Sequence, residues 1–151
     1  MAADAWKVYD KAKEYIGDGT IDLDGDTFKV VLCTVTSNAT TQTLQLYASL
    51  TEELSTANGY TAAGDTPGSV TWTESSGTVT FDSADPAWTA SGGSITARYA
   101  VLYDDTPSSP ADPLIAYCLM DNSPADVTVT DGNTLTIQLN ASGYFQVSGG
   151  W

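Results

Sequence analysis

Residues 94–103 read Ser-Ile-Thr-Ala-Arg-Tyr-Ala-Val-Leu-Tyr, and residues 114–120 read Leu-Ile-Ala-Tyr-Cys-Leu-Met. Both stretches are apolar almost throughout, which predicts central β-strands, because a strand with one exposed face would alternate with polar residues. Residues 27–36 form a long run rich in valine and are predicted to form a further strand.

Around these segments, apolar and polar residues alternate with a period of two, which is typical of strands with one buried and one exposed face. The alternating runs are 70–73, 78–81, 127–130 and 135–139, and the turn sequences are Asp24-Gly25, Ser76-Gly77, Ser91-Gly92-Gly93 and Asp131-Gly132-Asn133. No connection is long enough for the helices of a parallel sheet. The sequence therefore predicts an all-β fold of about eight strands, an antiparallel β-sandwich or jelly roll, with a closed barrel as the alternative.

The first sixteen residues differ from the rest of the chain in composition and in charge. Their three lysines and three acids sum to zero, so residues 17–151 carry the whole net charge of −14. We expect an N-terminal amphipathic helix at 1–16, acting as an attachment segment, and a single β-sandwich domain at 17–151. A further helical turn is predicted at 51–54, where Thr51 can cap it.

On a helical wheel, the apolar side chains of residues 5–16 fall on one side, and this stripe is expected to pack on the β domain. Asp4 is the predicted N-cap, and Gly17 is the predicted left-handed residue at the C-terminus. Trp6 lies outside the stripe, so it is either covered by a loop or exposed to a partner.

The charge and the residue inventory exclude several classes of function. The chain has 5 Lys and Arg residues against 19 Asp and Glu residues, and it has no histidine. An acidic surface repels phosphate groups, so neither nucleic acid nor an anionic membrane is expected as a partner. The absence of histidine removes the commonest general base and the usual Ser-His or Cys-His nucleophiles. The sequence predicts no enzyme and no cofactor.

Cys33 and Cys118 both lie inside apolar runs. They are predicted to be buried, reduced thiols, in keeping with synthesis in a reducing cytoplasm, and a single disulfide between two strands is the alternative.

The segment Asp22-Leu-Asp24-Gly-Asp26 places three carboxylates at alternate positions, a pattern that can offer oxygen ligands to Ca²⁺. The helix-loop-helix calcium motif requires glycine after the third acid and glutamate at the twelfth position, whereas this chain has Thr27 and Cys33 there. We therefore predict a solvated turn and no metal site, and keep the three aspartates only as weak calcium candidates.

Aromatic side chains can stack on sugar rings, as in β-sandwich carbohydrate modules. The candidates are Tyr60, Trp72, Trp88, Tyr144 and Trp151. Trp72 alternates in phase with Val70 and is expected in the core, whereas Trp151 is expected to dock on its own domain or on a neighbour.

Five segments, taken in order, resemble a family of small virion proteins of tailed phages, of the capsid decoration (cement) type. The segments are Phe-Lys-Val-Val-Leu at 28–32, Leu54 through Gly-Tyr-Thr-Ala-Ala-Gly at 59–64, Phe-Asp-Ser-Ala-Asp-Pro-Ala-Trp at 81–88, Ile-Thr-Ala-Arg-Tyr-Ala-Val-Leu-Tyr at 95–103 and Pro-Leu-Ile-Ala-Tyr at 113–117. The N-terminal segment and the terminal Gly-Gly-Trp lie outside this pattern.

The resemblance implies a β-sandwich or jelly roll that catalyses no reaction and takes no cofactor. It implies a homotrimer that binds the major capsid protein at local threefold positions of the assembled head, so that the chain is located on the capsid surface of the virion. A carbohydrate-binding or host-adhesion module, or a tail or neck subunit, is the alternative.

Attachment to an acidic shell would require the few cationic residues of the chain. The predicted partner-binding residues are Trp6, Lys7, Lys11, Lys13, Arg98 and Trp151. Arg98, the only arginine, is expected either to form an ion pair within a central strand or to contact another subunit.

Overall fold

The computed structural model describes residues 2–149 of the chain. The fold is an all-β antiparallel sandwich with one short α-helix, as predicted, but the described residues form eleven strands instead of about eight. In chain order the elements are β1 (Lys7–Val8), α1 (Asp10–Gly17), β2 (Phe28–Cys33), a 3₁₀ turn (Tyr47–Ser49), β3 (Thr71–Ser75), β4 (Thr78–Asp82), β5 (Ala87–Thr89), β6 (Ile95–Ala97), β7 (Tyr99–Asp104), β8 (Leu114–Leu119), β9 (Val127–Val129), β10 (Thr134–Thr136) and β11 (Phe145–Val147).

The central sheet has the strand order β1-β8-β7-β2, and all of its neighbours are antiparallel. Its three long strands are covered on both faces, which explains why they are apolar almost throughout. In β2, for example, Val30 and Leu32 belong to the cluster on one face, whereas Val31 and Cys33 belong to the cluster on the other face.

Three small sheets, β11-β4-β3, β10-β5 and β6-β9, contribute the partners that cover the first face. Aromatic side chains fill this layer; the rings of Phe28 and Phe81 meet edge to face, with centroids 5.0 Å apart. Each fully buried side chain of this size stabilises the fold by about 1.5–3 kcal/mol. This layer is the main core of the sandwich.

The helix and the loop that follows β2 cover the second face. Tyr9, fully buried, donates its hydroxyl proton to the carbonyl oxygen of Ala39 at 2.5 Å, and Ala12 packs beside it. Tyr47 stacks on Tyr103 with ring centroids 4.5 Å apart. The apolar side of the helix therefore packs on the β domain of the same chain, as predicted.

The N-terminal segment is not a helix from residue 5, and this part of the prediction is wrong. Lys7 and Val8 form β1 on the edge of β8, and the extended Tyr9 precedes the helix and donates its N–H to Ile115 at 3.0 Å. Asp4 is not an N-cap, because its N–H bonds to Leu119 of the sheet. Gly17 is the last helical residue, and the left-handed glycine is Gly19, with φ of +82°. Backbone pairing with a buried strand outweighs the helical preference of these residues.

The predicted helical turn at 51–54 is also absent. The N–H of Leu54 bonds to Leu32 at 2.9 Å, and the N–H of Thr34 bonds to Glu52 at 3.0 Å. This segment therefore lies against the outer edge of β2 as irregular, non-helical backbone, with Glu52 at a φ of +60°.

Of the predicted turns, Ser76-Gly77 joins the β3–β4 hairpin, and both residues have positive φ, as a type I′ turn requires. The turns at 91–93 and 131–133 instead carry the chain between different sheets. The apolar run 94–103 likewise breaks at Arg98, where the chain passes from the β6-β9 pair to the central sheet. Within residues 2–149, no helix has the length and apolar character needed to cross a membrane.

Candidate attachment surface

Residues 3–8, here called the N-terminal arm, lie along the edge of the central sheet and separate two concave surfaces. The arm is anchored by the pairing of Lys7 with Tyr117 and of Val8 with Ala116. Successive side chains of an extended segment point to opposite sides. Trp6 accordingly lines a groove on one side, while Lys7 lines a cleft on the other.

The cleft on the Lys7 side has a volume of about 280 Å³, and we call it the basic cleft. Its lining includes Lys7, Arg98, Tyr99 and Tyr117, together with Asp4. It thus brings together two of the five cationic side chains of a chain with net charge −14. The Lys7 side chain is exposed and forms no ion pair with any residue between 2 and 149.

Arg98 occupies the inner wall of the basic cleft. Its Nε donates to Oδ1 of Asp126 at 2.8 Å, and 17% of its side chain remains exposed. Its backbone N–H bonds to Cys33 and its carbonyl accepts from Met120, so the central sheet fixes its position. The predicted intramolecular ion pair is confirmed, but Arg98 lies between β6 and β7 and not within a central strand. A partner at this site would meet a guanidinium group already oriented by a carboxylate.

Lys11 and Lys13 are not part of the basic cleft. The ammonium group of Lys11 donates to Glu14 at 2.7 Å, a contact that raises the pKa of the lysine, and it lies 5.3 Å from the ring centre of Tyr15. Lys13 lies 3.8 Å from Asp10 on the same helix. Acids one turn away therefore offset both charges, and of the three predicted lysines only Lys7 presents an unpaired charge.

Trp6 lies on the other side of the arm, in a groove of about 560 Å³. The rings of Trp6 and Tyr144 lie nearly perpendicular to each other with their centroids 4.9 Å apart. Trp6 also packs against the main core and is half-buried. Trp6 is thus partly covered by its own chain and still lines the groove. The predicted docking of Trp151 concerns a residue outside the described range.

The aromatic residues proposed to stack on sugars lie mostly in the interior. Trp88, Tyr60 and Tyr144 are 6%, 2% and 3% exposed, so the prediction that they form a surface stacking site is wrong. Their apolar faces fill the main core instead, which stabilises the fold more than exposure would. Trp72 is half-buried against Phe81 and Phe145, in line with its expected packing on the core.

The three weak calcium candidates lie in one turn, and the carboxylates of two of them cap it. The Oδ1 atom of Asp22 accepts from the N–H groups of Asp24 and Gly25 at 3.1 and 3.2 Å, and Oδ2 of Asp26 accepts from the N–H of Asp22 at 2.9 Å. Between residues 2 and 149, no three His, Cys, Asp or Glu side chains come together in an arrangement suited to a metal ion. Two of these carboxylates therefore act on the backbone of their own loop.

Cys33 and Cys118 are buried and unbonded to each other, so the predicted reduced thiols are confirmed and the disulfide alternative is wrong. Burial raises the pKa of both thiols to about 12. A thiol with such a pKa is a poor nucleophile near neutral pH, because almost none of it is thiolate.

Two carboxylates with unusual surroundings were not identified from the sequence. Glu53 accepts hydrogen bonds from the hydroxyl of Tyr60 and the N–H of Ala63, both at 2.7 Å, and from the hydroxyl of Tyr47. Asp104, at the end of β7, has no exposed surface. The only sequence signal for Asp104 is that an acid ends an apolar run.

Comparison with known proteins adds no relative to this description. No protein-family model, no curated protein and no solved structure matches the chain.

Proposed function

We propose that this chain is a non-enzymatic capsid decoration (cement) protein of a tailed phage, which binds the assembled head shell and stabilises contacts between capsid subunits. The observation that carries the proposal is the basic cleft, where Lys7 and Arg98 lie together on an otherwise acidic chain. The resemblance of the sequence to decoration proteins supports the same function.

The net charge makes the location of this cleft informative. Copies of a chain with net charge −14 repel one another in solution, which opposes nonspecific association. A specific contact with an acidic shell then requires a local surface where the repulsion is offset. The exposed ammonium group of Lys7 supplies it, next to the guanidinium group of Arg98, whose charge Asp126 already balances. The half-buried Tyr99 adds aromatic surface of the kind that is enriched in protein interfaces.

The mechanism that follows is mechanical. A protein that contacts two neighbouring capsid subunits adds its own binding free energy to the cost of separating them. Assembly as a homotrimer at local threefold positions would repeat this contact around the axis, with the major capsid protein as the partner.

The first experiment measures the copy number of the chain in purified virions and its mass in solution by light scattering. Hundreds of copies per particle, or a trimer in solution, agree with a repeated surface role. A monomer that is absent from virions or present in only a few copies contradicts the decoration function, and in the second case favours a tail, neck or adhesion role.

The second experiment tests the basic cleft with matched variants on heads stripped of the protein. Lys7→Glu is expected to weaken binding to the heads by at least about tenfold, equivalent to about 1.4 kcal/mol, because it places a second acid beside Asp4. Lys13→Glu makes the same change of charge outside the cleft and is expected to bind within about twofold of wild type. Equal loss in both variants would mean that net charge, and not the cleft, controls attachment.

A further inference from the structure

Asp104 is an aspartate without the partners that a buried charge needs. It lies at the end of β7 with none of its surface exposed, and no other charged residue between 2 and 149 is buried to this degree. Its Oδ1 atom accepts from the N–H of Thr106 at 3.0 Å, and the Thr106 side chain also acts to lower its pKa. Its Oδ2 atom has no hydrogen-bond donor among residues 2–149. An unpaired ionised carboxylate in the interior costs several kcal/mol, so something must neutralise this group.

The neighbour of Asp104 is a second carboxyl group. The side chain of Asp26 lies within hydrogen-bonding reach of it. The backbone holds the two segments together, because the N–H of Thr27 donates to Oγ1 of Thr106 at 2.8 Å and the N–H of Asp105 donates to Thr27 at 2.9 Å. These contacts hold the two segments that carry the carboxyl groups side by side.

The charged groups around this pair are nearly all acidic. In the 22–26 loop, Asp22 faces Asp26 through its N–H, which donates to the Asp26 carboxylate. On the strands, Asp105 lies beside the pair, and its carboxylate takes up the nearest cation, Lys29, at 3.0 Å. From the side of β8, Asp112 precedes the proline whose carbonyl accepts the N–H of Asp104. No cationic side chain between residues 2 and 149 pairs with Asp104.

We propose that Asp104 and Asp26 share one proton in the native chain, forming a pH-sensitive latch between the 22–26 loop and the end of the central sheet. One protonated carboxyl donates to the other, which gives the unsatisfied Oδ2 atom of Asp104 its hydrogen bond. Burial, with Asp26 adding to the effect, raises the pKa of Asp104 to about 8. The latch goes beyond the proposed attachment function and does not depend on it.

The latch makes the stability of the chain depend on pH in a definite direction. An aspartate in the unfolded chain loses its proton near pH 4, whereas the native pair keeps one proton up to about pH 8. The native state therefore binds more protons in this window, so stability falls as the pH rises from about 4 to about 8 and levels off above it. Ile21 and Leu23 anchor the loop in the core, so repulsion between the ionised acids lowers stability instead of simply releasing the loop.

The test compares urea unfolding of wild type, Asp104→Asn and a matched control, Asp24→Asn, between pH 5 and pH 9. Asp24 is exposed on the same loop, so its variant removes the same charge without touching the pair. We expect the unfolding constants of wild type and Asp24→Asn to rise as the pH rises. For each pH unit, the rise should exceed that of Asp104→Asn by a factor of up to about ten. Asp104→Asn is expected to be close to wild type at pH 5 and more stable than wild type above pH 8. The same pH profile in all three proteins would overturn the latch.

Two further measurements on the wild-type chain keep the latch testable if Asp104→Asn fails to fold. The first is the pH dependence of the carbon-13 chemical shifts of the Asp26 and Asp104 carboxyl groups, which the Asp26→Asn variant assigns. We expect the pair to retain one proton above pH 6. Ionisation of both carboxyl groups below pH 5 would overturn the proposal. Added Ca²⁺ at pH 8 is expected to change the melting temperatures of wild type and Asp26→Asn by the same amount. A calcium-dependent rise in wild type alone would show that the pair holds a divalent cation and not a proton.

Discussion

Glu53 and Asp104 are acidic side chains that are partly or fully buried, but their neighbours differ: hydrogen-bond donors surround Glu53, whereas a second carboxyl group lies beside Asp104. Glu53 is half-buried and accepts from two tyrosine hydroxyls and one backbone N–H. Asp104 is fully buried, accepts from one backbone N–H and meets a second carboxyl group. The charge of a buried acid thus depends on its neighbours as well as on its depth: donors accommodate a carboxylate, whereas another acceptor requires a proton.

The tyrosine hydroxyls that donate to Glu53 keep their protons because their pKa values are raised. Desolvation and the nearby carboxylate raise the pKa of Tyr47, and the pKa of Tyr60 is raised by burial and by the same carboxylate. Tyr60 also accepts from the N–H of Leu32 at 3.2 Å, so its hydroxyl links the Glu53 loop to β2. This network ties the irregular segment after the 3₁₀ turn to the central sheet.

The largest effect is expected from removing the well-satisfied carboxylate. Glu53→Ala leaves the Tyr60 hydroxyl and the Ala63 N–H without a charged acceptor, so the free energy of unfolding should fall by about 3 kcal/mol. Urea unfolding at pH 7 measures this change. Glu52→Ala, on the exposed neighbouring residue, serves as the control and should stay within about 0.5 kcal/mol of wild type. Similar losses in both variants would mean that the loop, and not the carboxylate, is responsible.

A smaller effect is expected from removing one donor. Tyr60→Phe deletes the hydroxyl that bridges Glu53 and Leu32, and the predicted loss is about 1.5 kcal/mol. Tyr47→Phe also removes a donor from Glu53 but leaves no backbone N–H unpaired, so its loss should be smaller. If Tyr47→Phe proved the more damaging of the two in the same unfolding assay, the bridge to β2 would not be the important contact.

A substitution of Thr106 should weaken the contacts between the segments that carry Asp104 and Asp26. Thr106→Val removes the oxygen that accepts the N–H of Thr27, and we expect a loss of about 1 kcal/mol. Thr106→Ser keeps the oxygen and should regain most of the stability. Thermal unfolding of both variants at pH 6 checks this. Equal melting temperatures would show that the methyl group matters as much as the hydrogen bond, which would contradict the prediction.

The smallest expected effect concerns the tyrosine hydroxyls, because five of them should stay protonated at a pH where free tyrosine ionises. Burial raises the pKa values of five tyrosines above their usual range; they are Tyr9, Tyr47, Tyr60, Tyr103 and Tyr144. These phenols should keep their protons at about pH 11 while the chain stays folded, whereas in urea all eight tyrosines should ionise near pH 10. Tyrosinate absorbance follows this, and a full signal from the folded chain would contradict the buried positions.

The central sheet could be predicted because its signal is local. The apolar runs 27–36, 94–103 and 114–120 predict buried strands without reference to the rest of the chain, and the structure has strands at Phe28–Cys33, Tyr99–Asp104 and Leu114–Leu119. The strand in the N-terminal arm could not be predicted, because Lys7 and Val8 are extended only through their pairing with the edge of β8. The helical pattern of residues 5–16 is real but weaker than the hydrogen bonds that this edge offers.

Two of the residues that line the basic cleft, Lys7 and Arg98, are among the predicted partner-binding residues, but the sequence does not predict their arrangement. Lys7 and Arg98 stood out because cations are rare in this chain, yet the pairing of β1 with β8 is what places them in one cleft. Asp104 gave little signal, because an acid after an apolar run normally indicates a solvated turn. The tyrosines around Glu53 follow no period, since they come from an irregular loop.

The pairing of the arm with β8 also bears on self-association. The sequence of β8, Leu-Ile-Ala-Tyr-Cys-Leu, is uncharged, and without β1 its backbone donors and acceptors would line an open sheet edge. Such an edge is a template for strand addition by another chain and for amyloid-like growth. The arm therefore acts as a guard strand. Proteolytic trimming of the first eight residues would expose this edge of β8 to pairing with another chain.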